Sequence, residues 1–407
     1  MFWGLVVFMP VGVTYLSAIL LLLALLIAGG VHERIARLRA NPLWWPVMAY
    51  VAWTLVVLAT QPHYPQTLSN LAHGLRIAVT ILMALALTRV EAVWALRGFV
   101  LTAFVNMALI AMYHTVDLPI LEPWGAVLVV LGNKSISNAL LFTILGASAA
   151  IYGIAQLTQR RLWRAVLAFA TALAALAIIT LSLPSRTSQL ALLLALSVAC
   201  LHQWRGRLKV LLPALALGAL VVVGILQTPA VQQRFELGLS EIAIAQTGTV
   251  SEGSWVVRYY MYRDTALMII DKPLTGWGIG GWTAQWHSRG PELLASYNMP
   301  HNDFLWMGAQ AGLPGVLSLL AILLTSVWTA WRRPDMAGSL ALAAAIVTLV
   351  ATGLNSALRD AQIGLSLLWV AMLYLRLTQE AQETSPWRDL WPQRPLIPCQ
   401  SPSSTST

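Results

Sequence analysis

Charge is what this chain has least of. Only 10% of its 407 residues are Asp, Glu, Lys or Arg, where a soluble domain carries about 25%, and that scarcity excludes a water-exposed globular fold. Cysteine is nearly absent as well. The two that occur, Cys200 and Cys399, both fall on segments assigned below to the cytoplasmic side, so no disulfide is expected. The chain has no HExxH, no clustered Cys and His and no DxD string, so no metal and no other cofactor is expected. A basic amphipathic stripe is lacking, which argues against a nucleic-acid partner. No solenoid-like repeat is found. Apolar residues begin at Met1 without the small-residue cleavage site of a secretory leader.

What is abundant is apolar sequence, 58% of the chain, in runs of roughly 17 to 25 residues, the length that crosses a bilayer as a helix. The runs predict spans at 1–9 (half-length), 13–30, 43–60, 71–88, 91–113, 137–157, 163–182, 187–202, 208–226, 303–331, 336–354 and 361–377. The expected fold is all-α, a polytopic transmembrane bundle of about 12 helices with one large, partly helical loop. Residues 1–226 hold helices one to nine, 227–302 the loop and 303–377 the last three helices. Residues 378–407, rich in Pro, Ser, Thr and Gln, read as a disordered cytoplasmic tail. Segment 118–131 is apolar, but Pro119 and Pro123 break its start, and it reads as a partly embedded connection.

Lys and Arg placement sets the orientation. Sixteen of the 25 fall in one alternating set of loops, from Arg34, Arg37 and Arg39 through Arg332 and Arg333 to the tail. The other nine, Arg76, Lys134, Arg186, Arg234, Arg258, Arg263, Lys272, Arg289 and Arg359, fall opposite. Both termini are therefore expected in the cytoplasm and 227–302 outside.

The minority set carries the chemistry, because an outer loop has no topological reason to hold arginine. Arg186 stands in a short turn between two apolar helices. It either snorkels to lipid phosphates or forms an anion site facing the bundle interior. Arg76 lies a turn inside its helix, as an interfacial anchor or as a functional cation. In the loop, 229–245 and 255–270 read as two amphipathic helices joined by a Gly, Thr, Ser and Glu linker. Arg258, Tyr262 and Thr265 share one helical stripe, and 100° per residue puts Arg263 about 140° from Arg258. The string Gly276-Trp277-Gly278-Ile279-Gly280-Gly281 has no preceding strand and reads as a structural turn, not a dinucleotide site.

Pro300-His301-Asn302-Asp303-Phe304-Leu305-Trp306 ends the polar segment and opens an apolar helix. Its imidazole, with an ordinary pKa of about 6.5, can exchange protons near neutral pH. Arginine suits phosphate, because it stays charged and presents a planar fork of donors. A sugar already linked to pyrophosphate has a good leaving group. Transfer then needs a base on the incoming hydroxyl and cations on the departing phosphates. His301 is the favoured base, with Asp303 and Asp264 as rivals.

Several strings together resemble the signature region of the O-antigen ligase and polymerase superfamily. They are Arg258-x3-Tyr262-Arg263-x-Thr265-Ala266, Pro273-Leu274-Thr275-Gly276-Trp277-Gly278-x-Gly280, His301-Asn302-Asp303-Phe304-Leu305 and Gly312-Leu313-Pro314-Gly315. Ser185-Arg186-Thr187 and Gly132-Asn133-Lys134-Ser135-Ile136-Ser137-Asn138 resemble further parts of that family. Tyr262 stands where many relatives carry Trp.

The resemblance implies an inner-membrane enzyme of Gram-negative bacteria, with its active site facing the periplasm. Such an enzyme moves O-antigen polysaccharide from undecaprenyl pyrophosphate, the donor, to lipid A–core oligosaccharide, the acceptor, with inversion and without metal. It implies His301 as base and Arg186 and Arg258 as pyrophosphate ligands. Arg76, Lys134 and Asn138 would line the donor channel, and Arg263, Trp282 and Asn302 would touch substrate, with Trp277 and Trp282 able to stack on sugar rings. An O-antigen polymerase and a protein O-glycosyltransferase use the same donor and fit the same strings. A lipid-linked glycan transporter fits less well, because it needs charged residues inside many helices and these are nearly charge-free.

Overall fold

The computed structural model describes residues 1–115, 135–204 and 229–379. Among them all regular structure is helical: α1 Phe2–Leu5, α2 Val11–Ile27, α3 Val31–Ala40, α4 Trp44–Thr60, α5 Thr67–Ala86, α6 Arg89–Thr115, α7 Ser135–Thr158, α8 Leu162–Ala177, α9 Arg186–Trp204, α10 Pro229–Gln246, α11 Ser254–Asp271, α12 Gly281–Arg289, α13 Asp303–Arg332, α14 Met336–Leu354 and α15 Ala361–Leu377. A π-helical turn, Ile178–Ser182, closes α8.

Six described helices are long and apolar enough to cross a membrane, and a seventh span results if α2 and α3, bent by 111°, count as one. The chain is thus an all-α, polytopic membrane protein. The expected number of about twelve is not reached by that measure, partly because α4 and α15 are apolar but shorter. The expected span at 208–226, the connection at 118–131 and the tail beyond residue 379 lie outside the described residues.

Two elements were not expected. The second apolar run, expected to reach residue 30, stops at Ile27, and Gly29 and Gly30, both at positive φ, turn the chain into α3. That helix carries Arg34, Arg37 and Arg39 beside Val31, Ile35 and Leu38. Helix α12 is the second, in a stretch where short polar sequence hid a nine-residue helix.

Arginines close one end of the bundle by reaching for the carbonyls that helix ends leave over. Arg34 pairs with Glu91 at 2.7 Å and also donates to the Ala86 carbonyl, as does Arg37. Arg376 donates to the Leu87 carbonyl at 2.6 Å, and Arg333 to that of Thr378 at 2.7 Å. All belong to the majority set of loops. The opposite end carries α11, α12 and His301.

That opposite end is organised by a break in α13. Pro314 has no N–H to give, and Gly312 adopts φ 66°, ψ −171°. The orphaned carbonyls find other donors. Ala309 accepts from the Trp277 N–H at 2.8 Å, Gln310 from Gly278 N–H at 3.1 Å and Ala311 from the Trp53 indole at 2.7 Å, while Leu313 N–H goes to Pro273 at 2.7 Å. The glycine string is therefore a latch. Gly276 and Gly278 take positive φ where a Cβ would meet backbone atoms of Gln310 and Pro62. Tyr64 and Thr67 then donate hydroxyl hydrogens to the Trp277 and Ile279 carbonyls, both at 2.8 Å. The 273–281 segment is bolted to both α13 and the α4–α5 turn.

In Gly312→Ala a Cβ would collide with the Leu274 carbonyl in a backbone region that costs an L-residue about 1–3 kcal/mol. The variant is expected to show a clearly lower thermal midpoint in detergent. An unchanged midpoint would mean the break is not fixed by the latch.

Candidate active site

Helix α14 ends at Leu354 and α15 begins at Ala361, so a short connection crosses the His301 end of the bundle. Three distant segments meet at its start. Arg258 of α11 donates to the Leu354 carbonyl at 3.0 Å. Asn302, next to His301, donates to the Gly353 carbonyl at 2.7 Å. Asn355 donates to Thr187 Oγ1, next to Arg186, at 3.1 Å. The segments bearing Arg186, Arg258 and His301 thus converge on three consecutive residues.

The rest of the connection is held from both sides. Asp303, with no exposed surface, accepts the N–H groups of Leu358 and Arg359 at 2.8 and 3.0 Å. Arg76 Nη2 donates to the carbonyls of Leu358, Arg359 and Asp360 at 3.0, 2.6 and 3.0 Å. Its Nη1 reaches the Tyr15 hydroxyl and His73 Nδ1 at 2.7 and 2.9 Å. Buried backbone groups must find partners, and here an acid and a base take opposite faces of one loop. This geometry makes Arg76 a clamp, 7% exposed, and occupies both oxygens of Asp303, the rival base.

His301 sits at φ 54°, a left-handed conformation that costs a non-glycine residue about 1–2 kcal/mol and that histidine tolerates better than most. Its carbonyl accepts from the Tyr262 hydroxyl at 3.3 Å, and its ring meets Tyr297 edge-on at 6.1 Å between centroids. The next residue, Asn302, caps α13 by accepting from Phe304 and Leu305 N–H at 2.9 and 3.0 Å. Burial, then the charges of Arg258 and Arg359, push the His301 imidazole down to about 4, so it is neutral at physiological pH.

Arg186 is the first residue of α9 and is exposed. Among the described residues its guanidinium has no hydrogen-bond or ion-pair partner. A cation at a helix N-terminus meets the positive end of the helix dipole, which favours an anion there. Arg258 and Arg359 likewise make no ion pair among the described residues. Arg359 was placed on the outer side by the sequence but given no role, although it satisfies the criterion that singled out Arg186: an arginine in a short outer connection between apolar helices.

The remaining expected residues separate by burial. Trp282 is 1% exposed, stacks on Trp286 and donates to Thr265 Oγ1 at 2.8 Å, so its ring packs the core of the 229–302 segment. Trp277 lies 4.2 Å from Lys272 Nζ and 4.6 Å from the Arg289 guanidinium, with its indole N–H on the Met268 carbonyl. Arg263 is exposed and pairs with Asp264 at 2.6 Å. Asn138 lies buried in the first turn of α7. Lys134 lies outside the described residues. No three His, Cys, Asp or Glu side chains gather as a metal site among the described residues.

Residues 171–320 match the family model described as O-Antigen ligase. The matched stretch holds Arg186, Arg258 and His301 and stops short of the 353–360 connection. The match supports the resemblance drawn from the motifs that fall within it. A search of the curated proteins found no match.

Two stability measurements separate scaffold from chemistry. Arg76→Ala orphans three carbonyls, that of Leu358 buried and those of Arg359 and Asp360 partly so, and is expected to lose at least about 2 kcal/mol, whereas exposed Arg186→Ala should leave stability within about 0.5 kcal/mol of the parent. Equal losses would contradict this division. The folded pKa of His301 lies below its unfolded value, so its contribution to stability is complete above about 6.5 and is lost as pH falls towards about 4. His301→Asn should flatten that decline in a pH series of melting curves.

Proposed function

We propose that the chain is an O-antigen ligase. In this reading it transfers a glycan from undecaprenyl pyrophosphate to lipid A–core oligosaccharide at the periplasmic face of the bacterial inner membrane, with both termini in the cytoplasm. The observation that carries it is the convergence of the Arg186, Arg258 and His301 segments on residues 353–355. The family match over 171–320 supports it.

The chemistry follows from those groups. The acceptor hydroxyl oxygen attacks the anomeric carbon of the donor sugar from the face opposite the phosphate, which inverts the centre. The hydroxyl proton passes to the neutral His301 imidazole. The bond from the anomeric carbon to the phosphate oxygen breaks, and undecaprenyl pyrophosphate leaves with its charge held by Arg186 and Arg258. Preset cations aimed at developing charge commonly contribute more to such catalysis than any other single effect, and no metal enters the scheme. Arg76 and Asn302 act as positioning residues, holding the connection on which the cations are mounted.

A base with a pKa of about 4 is weak, but burial depresses it first, and the charges of Arg258 and Arg359 add to that. Binding a diphosphate neutralises those charges and raises the pKa towards the range where a base works best. The acid limb of kcat, which reports the bound complex, is therefore expected at higher pH than that of kcat/KM. Coincident limbs would remove this electrostatic account.

His301→Ala should abolish transfer while the protein still inserts. A strain carrying it should lack long-chain O-antigen on lipid A–core and accumulate lipid-linked polymer. Single-repeat caps instead would identify a polymerase, and retained O-antigen would take His301 out of the mechanism.

A further inference from the structure

We propose that Arg359 is a third ligand for the donor's pyrophosphate, an inference that rests on the functional reading above. Its backbone is fixed at both ends, since its N–H goes to Asp303 and its carbonyl to Arg76. Arg359 is half-buried. Among the described residues, the only hydrogen bond its guanidinium makes is a 3.3 Å contact from Nη1 to the neutral Asn298 side chain, and its buried Nε has no partner.

The acids nearest to it are engaged elsewhere. Asp303 accepts the N–H groups of Leu358 and Arg359, and Asp360 Oδ1 those of Gln362 and Ile363. Burial lowers the Arg359 pKa from its ordinary value, so the fold holds this cation at a cost. A cation taken out of water without a hydrogen-bonded anion is unfavourable, and the fork of an arginine matches phosphate oxygens. Arg359 and Arg258 both lie close enough to His301 to oppose its protonation. A diphosphate bridging the two would put the sugar it carries beside the imidazole.

The phosphate could come from the donor or from a phospholipid headgroup, and the test separates them. The full chain is placed in phosphatidylcholine nanodiscs, and its affinity for undecaprenyl pyrophosphate is measured for the parent, Arg359→Gln and Arg359→Lys. Losing hydrogen bonds to a charged group predicts about tenfold or weaker binding for the Gln variant. The Lys variant keeps the charge but not the fork, and should fall between it and the parent. It also serves where the Gln variant fails to remain monodisperse.

Parent-like affinity in both variants overturns the assignment of Arg359. Competition by phosphatidylglycerol as strong as that by undecaprenyl pyrophosphate overturns it too, making the site a headgroup anchor. If the parent itself does not bind undecaprenyl pyrophosphate, the functional reading falls first and this one with it. Reduced binding in the variants with parent-level competition selective for the diphosphate supports it.

Discussion

The site depends on how a short piece of backbone is satisfied where water is scarce. The connection between α14 and α15 crosses one end of an apolar bundle, and each peptide group buried there needs a partner. Asp303 supplies acceptors for two of its N–H groups, and Arg76 supplies donors for three of its carbonyls. Neither charge is spent on the other. The loop becomes a rigid mount, and Arg258, Asn302 and the Thr187 hydroxyl all register on it. Helices far apart in sequence (α5, α9, α11, α13 and α15) are brought into one arrangement by a few residues of chain.

This arrangement leaves positive charge that no ion pair neutralises among the described residues. Arg186 sits where the α9 dipole already favours an anion, and Arg258 spends one nitrogen on a carbonyl. Arg359 has only a neutral amide for company among the described residues. In the proposed reading, cations without anionic partners are unfavourable in the empty protein and favourable with a diphosphate bound. They also protect the base. Burial, with the charges of Arg258 and Arg359, keeps His301 unprotonated, so neutralising those two charges by substrate and activating the base are one electrostatic event in the proposed mechanism.

The apolar runs made the helices legible, because a bilayer-length stretch of Leu, Val and Ala has few other fates. Helix α3 escaped that criterion, being short and charged, and α12 escaped it through its Trp, Gln and His content. At the site, residue type announced the chemistry but could not announce burial. Trp282 offers the ring a sugar-binding site uses, yet tertiary packing encloses it against Trp286. Arg76 looks like a channel cation until its acceptors are seen to be backbone carbonyls almost three hundred residues away. Asn302 carries two duties, a helix cap and a tie to Gly353, and only the first can be read locally. The glycine string was readable as a turn; that it latches the α13 break required seeing which carbonyls Gly312 and Pro314 had released.

The same latch bears on how a large acceptor could reach the base. Residues 273–281 are tied to α13 by backbone hydrogen bonds and to the α4–α5 turn by two hydroxyls. His301 is tied to α11 through the Tyr262 hydroxyl and to the mount through Asn302. A hinge motion of the whole 229–302 segment would have to break these bonds together. Such a motion is far more costly than moving one side chain. The residues proposed to act on the pyrophosphate and the hydroxyl therefore hold their spacing in the empty protein. Rate enhancement in that case comes from cations and base set in advance of substrate, and the adjustment to glycan size falls to the substrates and to parts of the chain outside this block.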